Sequence, residues 1–208
     1  MTITADHQTR ASMTPGSIRR GDLAMTEPEI EAFLDRAAVA HFATVGPEGE
    51  PYVAPNLFVY VHGAIYLHTA TTGHFRGNVE LAQRICFEAA EMGEVFPYGA
   101  YACDTTASYS SVIGFGSVSI LPEAEDKARF FDRFLTKYGN PAWDHPANFY
   151  PRLCEVTIYR IAPERITGKM IALPVLGERW PASNRTKSPQ AVPPSATPSA
   201  CPFTGQRA

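Results

Sequence analysis

Two turn signals constrain this chain more than any other feature. Gly46-Pro47-Glu48-Gly49 separates the apolar runs 39–45 and 51–60, and Val61-His62-Gly63 separates the second run from a third that starts at Ala64. Gly- and Pro-rich turns between runs of this length join strands as hairpins. Further strands are expected at 84–90, at 108–121, where Gly114 and Gly116 mark a bend or bulge, and at 153–161. Helices are expected at 27–38, with Thr26 and Glu29 as a capping box, at 74–82, and after Pro122-Glu123, with Ala124, Ala128, Phe131, Leu135 and Tyr138 as the buried stripe. Residues 93–106 and 140–151 read as loops. The fold class implied is mainly β: five or six antiparallel strands curled into a small barrel with packed helices.

The 208 residues suffice for one domain, expected over 18–182. Residues 1–17 are polar, and residues 183–208 are rich in Ser, Pro, Thr and Ala, so both ends are expected to be disordered. A net charge of −3 gives no reason to expect a nucleic-acid partner. No apolar run approaches the ~20 residues of a membrane span, and no signal-peptide core opens the chain, so a cytoplasmic protein is expected. The four cysteines are scattered, with no Cys-x-x-Cys pair, and suggest neither a zinc site nor a disulfide framework. Cys86 and Cys154 sit in apolar runs and are expected to be buried.

The chemistry concentrates in residues 64–79, AIYLHTATTGHFRGNV. An apolar strand delivers His68 and Thr69 to a cluster of small and hydroxyl residues, followed by Gly73, His74 and Arg76 where a helix can begin. Hydroxyls, helix-start N–H groups and cations are what a phosphate needs. Taken alone, the stretch is more often an ordinary strand–turn–helix with polar loop chemistry. His68 reads either as a ligand to phosphate or substrate or as a satisfied core histidine. Pro55 removes a ladder donor from its strand, which implies an edge, a bulge or a ligand contact, with Asn56 beside it. No nucleophile–base pair and no paired carboxylates stand out, as fits a protein whose cofactor carries the chemistry.

Four stretches in order, GEPYVAPNLFVY, IYLHTATTGHFRGNV, YSSVIGFGSV and YRIAPERITGK, resemble the pyridoxamine 5′-phosphate oxidase-like, FMN-binding split-barrel superfamily. The likeness is greatest to its nitroimidazole-resistance-type branch. The resemblance implies a homodimer with FMN in clefts at the interface and a small-molecule substrate reduced by the flavin. It implies that Val53, Ala54, Pro55 and Asn56 line the flavin ring. His68, Thr69, Thr72, Gly73, His74, Phe75 and Arg76 would hold the phosphate, and Ser110 and Ser111 would approach from the later strand. Relatives commonly carry Gly-Arg-Lys where this chain reads Gly73-His74-Phe75-Arg76, and Ala54 stands where true pyridoxamine phosphate oxidases have a basic residue. The second departure argues against the vitamin B6 reaction. Haem and a deazaflavin are the alternative cofactors, and a non-catalytic carrier or sensor is the alternative role.

Overall fold

The computed structural model describes residues 18, 20–97, 105–143, 146 and 149–174; the expected disordered ends, Cys103 and His145 lie outside them. The chain divides into two compact units, one of Met1–Glu91 with Ser110–Lys169 and one of Met92–Tyr109 with Met170–Ala208. The first helix, α1 (Glu27–Arg36), starts at the capping box: the Glu29 carboxylate accepts from the Thr26 backbone N–H at 2.7 Å and from its hydroxyl at 2.8 Å. Six strands follow, β1 (Val39–Val45), β2 (Pro51–Val61), β3 (Ala64–Ala70), β4 (Arg84–Pro97), β5 (Thr105–Leu121) and β6 (Val156–Ile171). Helix α2 (His74–Leu81) lies between β3 and β4, and α3 (Ala124–Tyr138) between β5 and β6.

The ladders close in the order β1-β2-β3-β6-β5-β4, an antiparallel barrel as expected. β1 pairs with β2 along its whole length, from Val39↔Leu57 to Val45↔Pro51. β2 pairs with β3 only from Phe58↔Leu67 to Val61↔Ala64. Among the described residues, 51–57 therefore have β1 on one side and no strand on the other, and β3 leaves them to follow β6 out to Ala70↔Val156. This is where the barrel splits. It also explains Pro55, which sits opposite His41 on a segment where a missing N–H breaks no second ladder.

Strand alternation fills the interior. Phe42, Phe58, Phe87, Leu67 and Tyr159 are fully buried there, and the Ile30, Phe33 and Leu34 face of α1 joins the same core. Gly116 is needed for close approach, since a Cβ there would overlap the Ala162 backbone carbonyl of β6. Gly114 likewise leaves room for the Phe87 ring.

On the outside, α3 covers β2, β3 and β6 with a second cluster around Val59, Phe130 and Ile158. This double cover explains consecutive buried residues such as Phe58-Val59 and Ile158-Tyr159. The expected stripe on α3 is displaced. Phe130 is its buried residue, flanked by Phe131 and Phe134, while Ala124 is exposed. Two groups fasten the end of α3. The Tyr138 hydroxyl lies 2.7 Å from the carbonyls of both Ala38 and Phe58. Lys137 donates to the Leu34 carbonyl at 3.1 Å over the Phe58 ring, and burial pushes its pKa down to about 8.

Three expectations change. Residues 93–97 and 105–106 are strand, not loop: in the second unit Gly93 faces Ser108, whose hydroxyl donates to the Glu94 carbonyl at 3.5 Å. β6 continues through Ile171. Cys154 is exposed, because residues 153–155 form a short 3-10 turn ahead of the strand, and Cys86 is half-buried.

Candidate functional site

Thr69 is inside the barrel mouth and His68 is outside it, because successive strand residues face opposite ways. The Thr69 hydroxyl lies 3.0 Å from the Tyr159 hydroxyl and donates to the Ala70 carbonyl at 2.8 Å. Thr157, paired with Thr69 in the β3–β6 ladder, is buried on the same face as Tyr159. The Arg76 guanidinium donates to the Thr157 hydroxyl at 2.7 Å and pairs with Glu80 at 2.6 Å one turn along α2. Three hydroxyls and one guanidinium thus meet at the barrel end. Burial pushes the Tyr159 phenol up, against the opposing pull of Thr69, the Arg76 charge and Thr157.

α2 is placed by its own side chains. Phe75 enters the core against Tyr159 with ring centres 5.2 Å apart, and the buried Asn78 amide donates to the Thr44 hydroxyl of β1 at 3.0 Å. Its N-cap is Gly73 at φ 121°, a backbone conformation costly for any residue with a Cβ. Gly73 has no side chain to cap the first-turn N–H groups, so these remain available to an anion. His74 stacks on Tyr52 of β2 at 4.4 Å, and its Nε2 is 4.0 Å from a Glu50 carboxylate oxygen. Thr72 is exposed in the bend before the helix.

The expected site residues therefore divide. Thr69, Gly73 and Arg76 share the barrel mouth, His74 stands beside it on the β2 side, and Phe75 is a core residue that anchors the helix. Of the four on β2, Ala54 and Asn56 are half-buried, while Val53 and Pro55 face outward. Ser110 and Ser111 lie on opposite faces of β5 and make no hydrogen bond to the cluster among the described residues. The sequence reading missed Thr157, Tyr159 and Tyr52. Thr157 and Tyr159 carried a signal, being hydroxyl-bearing residues that alternate with Val156 and Ile158 at the start of β6.

His68 sits under α3, ringed by Phe130, Phe131 and Phe134 with ring centres 5.3–5.6 Å away. Its Nδ1 is buried without a hydrogen-bond partner. Burial disfavours the imidazolium and pushes the pKa below the ordinary 6.5. The unfolded chain therefore takes up the proton first as pH falls. The contribution of His68 to stability is thus present above pH 6.5 and is lost progressively below it. Urea unfolding across pH 5–7.5 should show this decline, and His68→Phe should flatten it; an unchanged slope in the variant would contradict the assignment.

A family model described as pyridoxamine 5′-phosphate oxidase matches residues 26–170. A search among curated proteins finds no match. Solved structures do match. The flavocytochrome Anf3 from Azotobacter vinelandii gives a TM-score of 0.67 at 19% identity, covering 92% of each chain. The FAD and haem binding protein from Mycobacterium smegmatis gives 0.60 at 16% identity, covering 88% of this chain and 91% of that one. A candidate 5-nitroimidazole antibiotic resistance protein from Bacteroides thetaiotaomicron gives 0.59 at 20%, covering 70% and 85%. Likeness at these identities is likeness of fold, whereas the family match spans more than half of the sequence and takes in α1, all six strands and the barrel mouth. The chain belongs to the pyridoxamine 5′-phosphate oxidase family.

Proposed function

We propose that this protein binds FMN, with the phosphate held at the barrel mouth, and acts as a flavin-dependent oxidoreductase on small molecules. The observation that carries the reading is the meeting of the Thr69, Thr157 and Tyr159 hydroxyls with the Arg76 guanidinium beside the uncapped first turn of α2. These groups fit a phosphate: the hydroxyls and N–H groups donate, and the guanidinium balances charge. Glu80 opposes them, and its pairing with Arg76 is the contact an incoming phosphate would displace. Bound flavin would supply the redox chemistry, and the chain would supply position and electrostatics. The cofactors in the names of the flavocytochrome and the FAD and haem binding protein support a flavin.

The reading includes a two-fold homodimer with the clefts at its interface. The outer face of the β1–β2 pair supports it. Val39 opposes Leu57, Ala43 opposes Val53, and Val45 opposes Pro51. Val39, Val45, Val53 and Leu57 are 40%, 49%, 57% and 39% exposed, which is costly for an apolar stripe left in water. Val53 and Pro55, expected beside the flavin ring, lie on this face.

Two measurements follow. Arg76→Ala should weaken FMN binding roughly 10- to 100-fold, the worth of one or two charge-assisted hydrogen bonds. Riboflavin has no phosphate, so its binding should change little. Equal losses for both ligands, titrated by flavin fluorescence, would reject the phosphate site. For assembly, the wild type should sediment as a dimer, and Val53→Asp should shift it to monomer; a wild-type monomer would remove the interface.

A further inference from the structure

A groove of about 670 Å³ lies on the other side of the sheet from the barrel mouth, between α3 and the outer faces of β2, β3 and β6. Its floor is apolar. Val59 and Tyr66 are ladder partners, and with Val61, Leu121 and Phe130 they belong to the cluster that α3 covers only in part. Its rim is cationic. Arg133 comes from α3, and Arg160 stands opposite Tyr66 in the β3–β6 ladder. Elsewhere Arg36, Arg76 and Arg84 each pair with a carboxylate, and Arg129, which also lines the groove, is held by Glu125 and Asp126. Arg133 and Arg160 have no such partner among the described residues.

Two carboxylates also line the groove, and both are already engaged. Asp126 accepts from Arg129 at 2.8 Å, and Asp132 accepts from the Tyr150 hydroxyl at 2.6 Å. His62 closes one end. It holds φ 48°, in the left-handed region, as the first residue of the tight β2–β3 turn. That position ordinarily falls to Asn, Asp or Gly, and here it sets an imidazole at the groove.

We propose that this groove is a second binding site, for a small organic anion with an apolar body, such as an aromatic or medium-chain carboxylate or sulfonate. The floor takes the body, and the two guanidinium groups take the charged end by charge-assisted hydrogen bonds. A purely apolar ligand would leave Arg133 and Arg160 unused, and an inorganic anion would leave the floor wet. The site is independent of the flavin reading, because none of its residues belongs to the barrel-mouth cluster.

The test uses the full chain as purified and two fluorescent probes of similar shape: 8-anilinonaphthalene-1-sulfonate and uncharged N-phenyl-1-naphthylamine. The sulfonate should bind saturably. The double variant Arg133→Gln/Arg160→Gln should weaken it about tenfold or more and leave the neutral probe within about twofold. Thr136→Trp, which fills the groove from α3, should abolish both. Far-UV circular dichroism and a thermal unfolding midpoint matching the wild type would show that both variants keep the fold. The proposal is overturned by absence of saturable sulfonate binding, by unchanged or equal effects on the two probes in the double variant, or by unchanged binding in Thr136→Trp.

Discussion

The two-residue turn His62-Gly63 fixes how β3 lies on β2, and the site depends on that register. Both turn residues have positive φ, the geometry whose twist matches a hairpin. With Val61 opposite Ala64, Leu67 and Thr69 point into the barrel and His68 points out. A slip of one residue would exchange them, placing the imidazole in the barrel mouth and burying a threonine among three phenylalanines. The apolar cost of that exchange on both faces keeps the register unique, since β3 is covered inside by the core and outside by α3.

The same register gives the split its chemistry. Past Phe58, β2 stays with β1 while β3 stays with β6, and the chain then closes the opening with α2. Phe75 against Tyr159 and Asn78 against Thr44 seat the helix, so its first turn and Arg76 arrive at the mouth as a consequence of packing. One stretch of sequence thus supplies the strand, the glycine N-cap, the anchor and the cation. Phe75, out of place if read as a phosphate ligand, is the residue that aims the others.

Much of this was legible in the sequence. The capping box at Thr26 and Glu29, the hairpin turns, and the polar convergence at Thr69 and Gly73 are local signals, and local chemistry is what a sequence displays. The rest depends on contacts between distant residues. Thr157 and Tyr159 join Thr69 across nearly ninety positions, with no local signature beyond strand alternation. The side of α3 that is buried is chosen by the outer face of the sheet, and the aromatic run Phe130-Phe131 offers two stripes that periodicity alone does not separate. His68 shows the limit most clearly: its neighbours in sequence suggest a ligand, and strand parity sends it to the opposite face from Thr69.

The central claim is that the barrel mouth holds a phosphate as a fully charged group. Phosphorus NMR of FMN bound to the full chain tests it directly. Free phosphate monoesters take up a proton with a pKa near ~6. A phosphate held by Arg76, helix N–H groups and hydroxyl donors should stay dianionic, so its resonance should keep one position from about pH 7.5 to about pH 5.5. A bound resonance that moves with pH as free FMN does would place the phosphate in solvent and contradict the account.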